Sequence, residues 1–278
     1  MDTSNDIKER YAKEVLTYRR DAWLVNIDAE RLFDVFKIII RKLFNNQDEI
    51  KILDIGAGNG MLTETVLSCF PNARITMLDF SSEMLESAKM VFELNKINTK
   101  NIRYLVKNFI TDDFPNEKYD LIISSFALHH IRKAEDLKKV YLKIAKSLKE
   151  NGTFICLDYY LEENEDLRKK QANDVFDKWI ENFNSNKKAK EWANIIKTED
   201  SPSTISLIIS SLNECKNEKI IPFLFPKKGI LAIIYGMTKL DIKKLDELQL
   251  MEYVHETKKY INKEKKIDSY PFDKKNLI

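Results

Sequence analysis

The sequence is short of glycine, with six in 278 residues, and of cysteine, with three. Cys69, Cys156 and Cys215 lie far apart and form no CxxC pair. A zinc-thiolate site or a disulfide framework is therefore not expected, nor is any other metal site. Free thiols in a reducing cytoplasm are the plain expectation. Excess charge of one sign is also missing. There are 46 basic and 44 acidic side chains, a formal net charge of +2. That balance gives no strong field for nucleic acid or an anionic membrane. No apolar run approaches the roughly 18 residues of a membrane span. The opening stretch, MDTSNDIKERYAKE, has no apolar core, so no secretory leader is expected. Internal repeats and low-complexity blocks are absent too.

What is present is a 44% hydrophobic chain with an alternating pattern. Residues 30–44 place Leu32, Phe33, Phe36, Ile39, Ile40 and Leu43 on one helical face. The run IKILDI (50–55) reads as a buried parallel strand. Helical spacing returns at Leu62, Val66, Leu67 and Phe70, and Pro71 stops it. Residues 74–79 read as strand and 82–94 as helix, with Ser82 as its cap. Residues 102–107 and 119–125 read as strands, 135–149 as helix. Asn151-Gly152 reads as the turn into a fifth strand at 153–159. Such alternation means βαβ units and a parallel sheet. The pattern then changes. Residues 162–200 read as one or two helices outside the repeat, and about 203–213 as another. The runs at 219–225 and 229–237 are joined by Pro226-Lys227-Lys228, a link short enough to favour an antiparallel hairpin.

Three of the six glycines sit together in Gly56-Ala57-Gly58-Asn59-Gly60. A glycine loop between a strand and a helix lets a ligand lie directly on backbone, at the carboxyl edge of the sheet. A dinucleotide fingerprint reads GxGxxG, whereas this loop reads GxGxG, with Met61 where the third glycine would fall. Asp79 ends the second strand and can accept both hydroxyls of a ribose. Asp54 ends the first, where a cationic ligand would be attracted.

The segment from Asp54 to Gly60 resembles the first motif, E/D-x-G-x-G-x-G, of class I S-adenosylmethionine-dependent methyltransferases of the small-molecule type. Asp79 followed by Phe80-Ser81-Ser82-Glu83-Met84-Leu85 is similar to their second motif. Tyr119–Ser125 with Leu128-His129-His130 resembles the fourth-strand motif, and Leu148–Phe154 the L-K-P-G-G turn into strand five. The resemblance implies an α/β fold: a Rossmann-like, doubly wound seven-stranded sheet, mostly parallel with an antiparallel 6/7 hairpin and helices on both faces. It implies S-adenosylmethionine as cofactor and S-adenosylhomocysteine as product. Gly56 and Gly58 would pass under the methionine part, and Asp79 would hold the ribose. Phe80, Met84 and Phe109 would enclose the adenine. Asn108 stands where the family often has an acid for the adenine amine. An Asn side chain can still accept from that amine. Ser125 would reach the methionine moiety. Tyr18-Arg19-Arg20 resembles a lead-in that folds over the cofactor, with Arg19 as the carboxylate ligand and Arg20 in reserve.

Methyl transfer from a sulfonium needs position and electrostatics first, and a base only when the acceptor must lose a proton. His129 and His130, beyond strand four, are the candidate bases, and Tyr160 a candidate for orienting substrate. Trp179 and Trp192 read as core aromatics of a segment roofing the pocket. The expected organisation is one domain over 1–238, with cover helices in 1–45 and a helical insert at 160–200. A charged helical extension follows at 239–278. The expected acceptor is a small molecule. A tRNA or rRNA methyltransferase, a non-catalytic S-adenosylmethionine-binding protein and a nicotinamide dehydrogenase are the readings set against it. A membrane is not expected as partner, and a homodimer stays open.

Overall fold

A computed structural model describes residues 24–25, 29–44, 49–160, 164–200, 202–213, 220–225 and 230–236. Tyr18, Arg19, Arg20, Cys215, the 226–228 link and the 239–278 extension lie outside the described residues. Five strands follow the apolar runs: β1 (Lys51–Ile55), β2 (Arg74–Asp79), β3 (Ile102–Val106), β4 (Tyr119–Ser125) and β5 (Leu148–Tyr159). They pair in parallel in the order β3-β2-β1-β4-β5. Backbone pairing continues past β5. A strand β7 (Ile230–Gly236) runs antiparallel to β5, and β6 (Ile220–Phe225) antiparallel to β7.

The helices are α1 (Ala29–Leu43), α2 (Met61–Cys69), α3 (Ser82–Leu94), α4 (Ala134–Ser147), α5 (Glu165–Phe183), α6 (Asn186–Glu199) and α7 (Ile205–Asn213). Alternate residues of each strand face opposite layers. Ile52, Ile75, Met77, Leu121, Ile123, Ile155 and Leu157 meet the apolar faces of α1, α2 and α3. Leu53, Ile55, Leu78, Ile122, Phe154 and Cys156 meet α4 and α7. Both faces of the sheet are covered, which is why its strands read as near-continuous apolar runs. The N-terminal helix α1 belongs to the first of these layers, with Leu32, Phe36 and Ile40 fully buried in it.

Two local expectations need correction. The cap of α3 is Ser81, not Ser82. Ser81 sits in extended backbone, and its hydroxyl accepts the Met84 N–H at 3.2 Å. Asn151-Gly152 is not a separate turn, because β5 begins at Leu148, paired with Tyr119. The register shifts between Tyr119 and Leu121, and the surplus residues bulge there. A Cβ on Gly152 would stand 2.9 Å from the Tyr119 carbonyl, so the bulge needs a glycine.

The order turns about β1 and β4. From β1 the chain steps outward through β2 to β3, and from β4 the other way to β5. That reversal opens a crevice at the carboxyl ends of β1 and β4, the place where open α/β sheets bind ligands. The register lines up Ile55 with Leu78 on one side and Ser124 on the other, so Gly56, Asp79 and Ser125 emerge together.

Candidate cofactor site and histidine cluster

The glycine loop is held before any ligand is considered. Gly56 and Ala57 donate to the Leu78 carbonyl at 2.8 and 3.1 Å. Gly56 has φ 65°, and a Cβ there would lie 2.3 Å from the Ala127 side chain. No other residue fits against the chain leaving β4. Gly58 is different. Its φ is 53°, and only the Met84 methyl, at 3.4 Å, would meet an added Cβ. The space above Gly58 is closed on one side by Met84 and is otherwise open.

Asp79 ties this loop to the second strand. Its Oδ2 accepts the Gly58 N–H at 2.8 Å, and its Oδ1 accepts the Ser81 N–H at 2.9 Å. Burial pushes its pKa up to about 6, against the pull of the backbone donors of Ser81, Gly58 and Phe80. Asp54 lies deeper. Its Oδ2 accepts the Thr63 hydroxyl at 2.6 Å, while its buried Oδ1 has no hydrogen-bond partner. Burial is the main cause that raises its pKa to about 7; the Thr63 hydrogen bond opposes this and the charge of Asp79 adds to it. The Nδ2 of buried Asn59, within the loop, also has no partner. Orphaned buried groups are rare and call for an explanation. One acceptor and one donor orphaned at the same loop match the ammonium and carboxylate of an amino-acid ligand.

Phe80 follows Asp79 and is half-buried. Buried Phe109 brings its Cε1 to 3.6 Å from the Cβ position of Gly56. Ser125 is half-buried at the end of β4. Asn108 joins the group through the Lys107 N–H, which donates to the Asp79 carbonyl at 2.8 Å. Its side chain is already engaged, because Oδ1 accepts the Ile110 N–H at 2.9 Å. The structure thus gathers Asp54, Gly56, Gly58, Asp79, Phe80, Met84, Asn108, Phe109 and Ser125 around one sheet edge.

Three supporting residues escaped the sequence reading. Thr63 orients Asp54. Lys143, on α4, donates to the carbonyls of Phe109, Ile110 and Asp112 at 3.2, 2.8 and 2.8 Å and fixes the loop after β3. Phe126 takes φ 49° without being glycine. That left-handed turn, held by its N–H on the Leu157 carbonyl at 2.8 Å, carries Ala127 back over Gly56. Neither spacing nor residue type marks any of them.

The candidate bases sit elsewhere on the same edge. A 3-10 turn, Leu128–His130, follows β4. The Asp158 carboxylate, at the end of β5, accepts the Leu128 and His129 N–H groups at 2.8 and 3.2 Å. It also meets His129 Nδ1 at 2.5 Å. Asp200, beyond α6, approaches His129 Nε2 at 3.6 Å and His130 Nδ1 at 3.4 Å. Burial alone would lower the pKa of His129, but the charges of Asp158 and Asp200 outweigh it and raise it to about 10. His129 is thus turned between two carboxylates, Nδ1 to Asp158 and Nε2 toward Asp200, while His130 keeps some solvent access. Tyr160 is 3% exposed and packs in the cluster of Leu128, Ile208 and Leu212.

The helices after β5 form a small layer of their own. The indole N–H of buried Trp179 donates to the Val25 carbonyl at 2.8 Å, and Asn182 donates to that of Leu24 at 2.8 Å. Trp192 stacks on Phe183 with an interplanar angle of 9°. Both tryptophans pack within this layer, and α5 pins residues 24–25. Arg132 donates to the Thr198 carbonyl at 2.5 Å, joining the end of α6 to the turn after β4.

The chain is similar to known proteins in sequence and in fold. A family model described as a methyltransferase domain matches residues 52–152. A malonyl-[acyl-carrier protein] O-methyltransferase of Acetivibrio thermocellus is 30% identical over 129 residues, 43% of this chain and 42% of that protein. A second such enzyme, of Ilyobacter polytropus, is 29% identical over 58% of each chain. The chain thus spans about half the length of the curated relatives it matches. Among solved structures, an O-methyltransferase family 2 protein of Planctomyces limnophilus in complex with apigenin superposes with a TM-score of 0.57 at 17% identity. It covers 83% of this chain and 62% of its own. At that identity the likeness is one of fold. The match at residues 52–152 takes in β1, the glycine loop, Asp79 and β4, so the stretch that carries the candidate cofactor site is the stretch similar to methyltransferase domains.

Proposed function

We propose that this chain transfers a methyl group from S-adenosylmethionine to a small-molecule acceptor by in-line displacement. The observation that carries the reading is the loop at 56–60, gripped by Asp79 and flanked by the orphaned Asp54 Oδ1 and Asn59 Nδ2. When bound, the cofactor supplies an activated methyl on a sulfonium. The chain's own residues supply position. Gly58 leaves room for the methionine part beside Met84, and Asp79 turns its remaining acceptor capacity to the ribose. Phe80, Met84 and Phe109 bound the adenine, with Asn108 at its amine and Ser125 at the methionine end. Tyr18 and Arg19 would close over the carboxylate.

In this reading residues 1–238 act as one domain, closed by the 6/7 hairpin, with 239–278 as an extension. The pocket is covered by the N-terminal segment and the 160–200 helices, a view supported by the Trp179 and Asn182 bonds to residues 24–25. A small acceptor is supported by the relatives, described as O-methyltransferases, and by the balanced charge. No described helix is long and apolar enough to cross a membrane, and we place the chain in the cytoplasm. The test is transfer of label from methyl-labelled S-adenosylmethionine to carboxylic, phenolic and amine acceptors, with tRNA alongside. Label in a small product supports the proposal. Label only in tRNA, or none in any acceptor although the cofactor binds, overturns it.

A further inference from the structure

We propose that His129, His130 and Asp200 form a binding site for a divalent transition metal, zinc being the best match. His129 Nε2, His130 Nδ1 and an Asp200 carboxylate oxygen all lie within 4.8 Å of one another. The two nitrogens address the same oxygen, Asp200 Oδ1, at 3.6 and 3.4 Å. Those separations are long for hydrogen bonds, which fall at about 2.7–3.2 Å. They suit a shared ion. Ligands on bonds of about 2.0–2.1 Å in a tetrahedral site stand about 3.3–3.4 Å apart.

The surroundings fit the same reading. A ligating imidazole usually gives its other ring N–H to a carboxylate, which fixes its tautomer and direction. His129 does this: Nδ1 meets Asp158 Oδ1 at 2.5 Å, leaving Nε2 for the ion. Asp158 is itself fixed by the backbone N–H groups of Leu128 and His129. The rings of His129 and His130 are tilted at 51° with centroids 4.2 Å apart, which brings both imidazoles to the side of Asp200. Two carboxylates, Asp158 and Asp200, face one buried imidazole, and a dication balances that charge. Two imidazoles and one carboxylate select zinc or a neighbouring first-row metal over magnesium or calcium. Three protein ligands leave a further position open to water or to an oxygen ligand.

The site spans two parts of the molecule. The histidines belong to the turn after β4, and Asp200 follows α6, whose last turn is held by Arg132. The inference is independent of the proposed reaction, since it concerns metal binding alone.

The test uses tag-free full-length protein, stripped with a chelator and titrated with Zn2+ and with Co2+ as spectroscopic reporter. The expected result is one tight equivalent, with the visible absorption of a low-coordinate cobalt site. Asp158→Asn should weaken binding about 10–100-fold through loss of orientation, and His130→Ala and Asp200→Asn by more. Circular dichroism identifies variants that fail to fold, and His130→Ala, at the least buried ligand, decides if Asp200→Asn is among them. Absence of a tight equivalent in the wild type overturns the proposal, as does wild-type affinity in a folded His130→Ala. Either result leaves the cluster as a charged clasp between α6 and the sheet edge.

Discussion

At the scale of single residues, the glycine loop and its two acids carry the account. Gly56→Ala should be strongly destabilising. The left-handed backbone alone costs about 1–2 kcal/mol, and overlap with Ala127 adds to it, so thermal melting should show a clear loss. Gly58→Val should cost at least about 1–2 kcal/mol through its own left-handed backbone, φ 53°, without the overlap that Gly56→Ala adds, and should abolish cofactor binding, because the new side chain occupies the ligand's space. Asp79→Asn turns a donor toward the Gly58 N–H and removes a charged acceptor. Affinity for S-adenosylmethionine should fall about 10–100-fold, the worth of a hydrogen bond to a charged group. Asp54 makes a pH prediction. Its folded pKa, about 7, lies above its ordinary value of 3.8. An acid raised on folding binds more protons in the native state, so stability falls as pH rises from about 4 to about 7 and then levels. Asp79, raised to about 6, contributes to the lower part of the same window. Asp54→Asn should flatten the upper part in denaturant titrations of the ligand-free protein. An unchanged profile would remove Asp54 as its source.

At the scale of elements, α5 is tied to residues 24–25 by the Trp179 and Asn182 bonds. Trp179→Phe keeps an aromatic ring in the layer but deletes the bond to Val25 and some packing, at a cost of at least about 1 kcal/mol. If that bond anchors a pocket cover, the variant should also raise protease sensitivity near residue 24, and cofactor should reverse it. The elements of the sheet were plain in the sequence because a strand buried on both faces must be apolar throughout. The glycine loop and Asp79 were plain for a related reason, since close backbone approach leaves few residue types. What was not legible depends on long-range contact. The bulge at 148–152 exists because Tyr119 pairs with Leu148, and nothing local marks it. Thr63 and Lys143 look like ordinary helix residues until the fold brings Asp54 and the loop after β3 to them. Asp200 lies far along the chain from the histidines it meets, and Tyr160 follows an apolar strand with no mark of the face it will take.

At the scale of the whole molecule, the sheet order places the described residues of the proposed cofactor site at one edge, and the chain carries no large excess of positive charge for a polyanion. The chain should therefore not retain tRNA in a gel-shift experiment at about 0.15 M salt, where binding through phosphates needs many unpaired cations. Retention there would move the acceptor from a small molecule to RNA. The central claim is that the carboxyl edge of β1, β2 and β4 holds S-adenosylmethionine through the glycine loop. Calorimetric titration with S-adenosylmethionine, S-adenosylhomocysteine and NAD tests it most directly. The account predicts saturable binding of the first two and none of NAD, with heat lost in Gly58→Val; binding of NAD alone, or of none of the three, would contradict it.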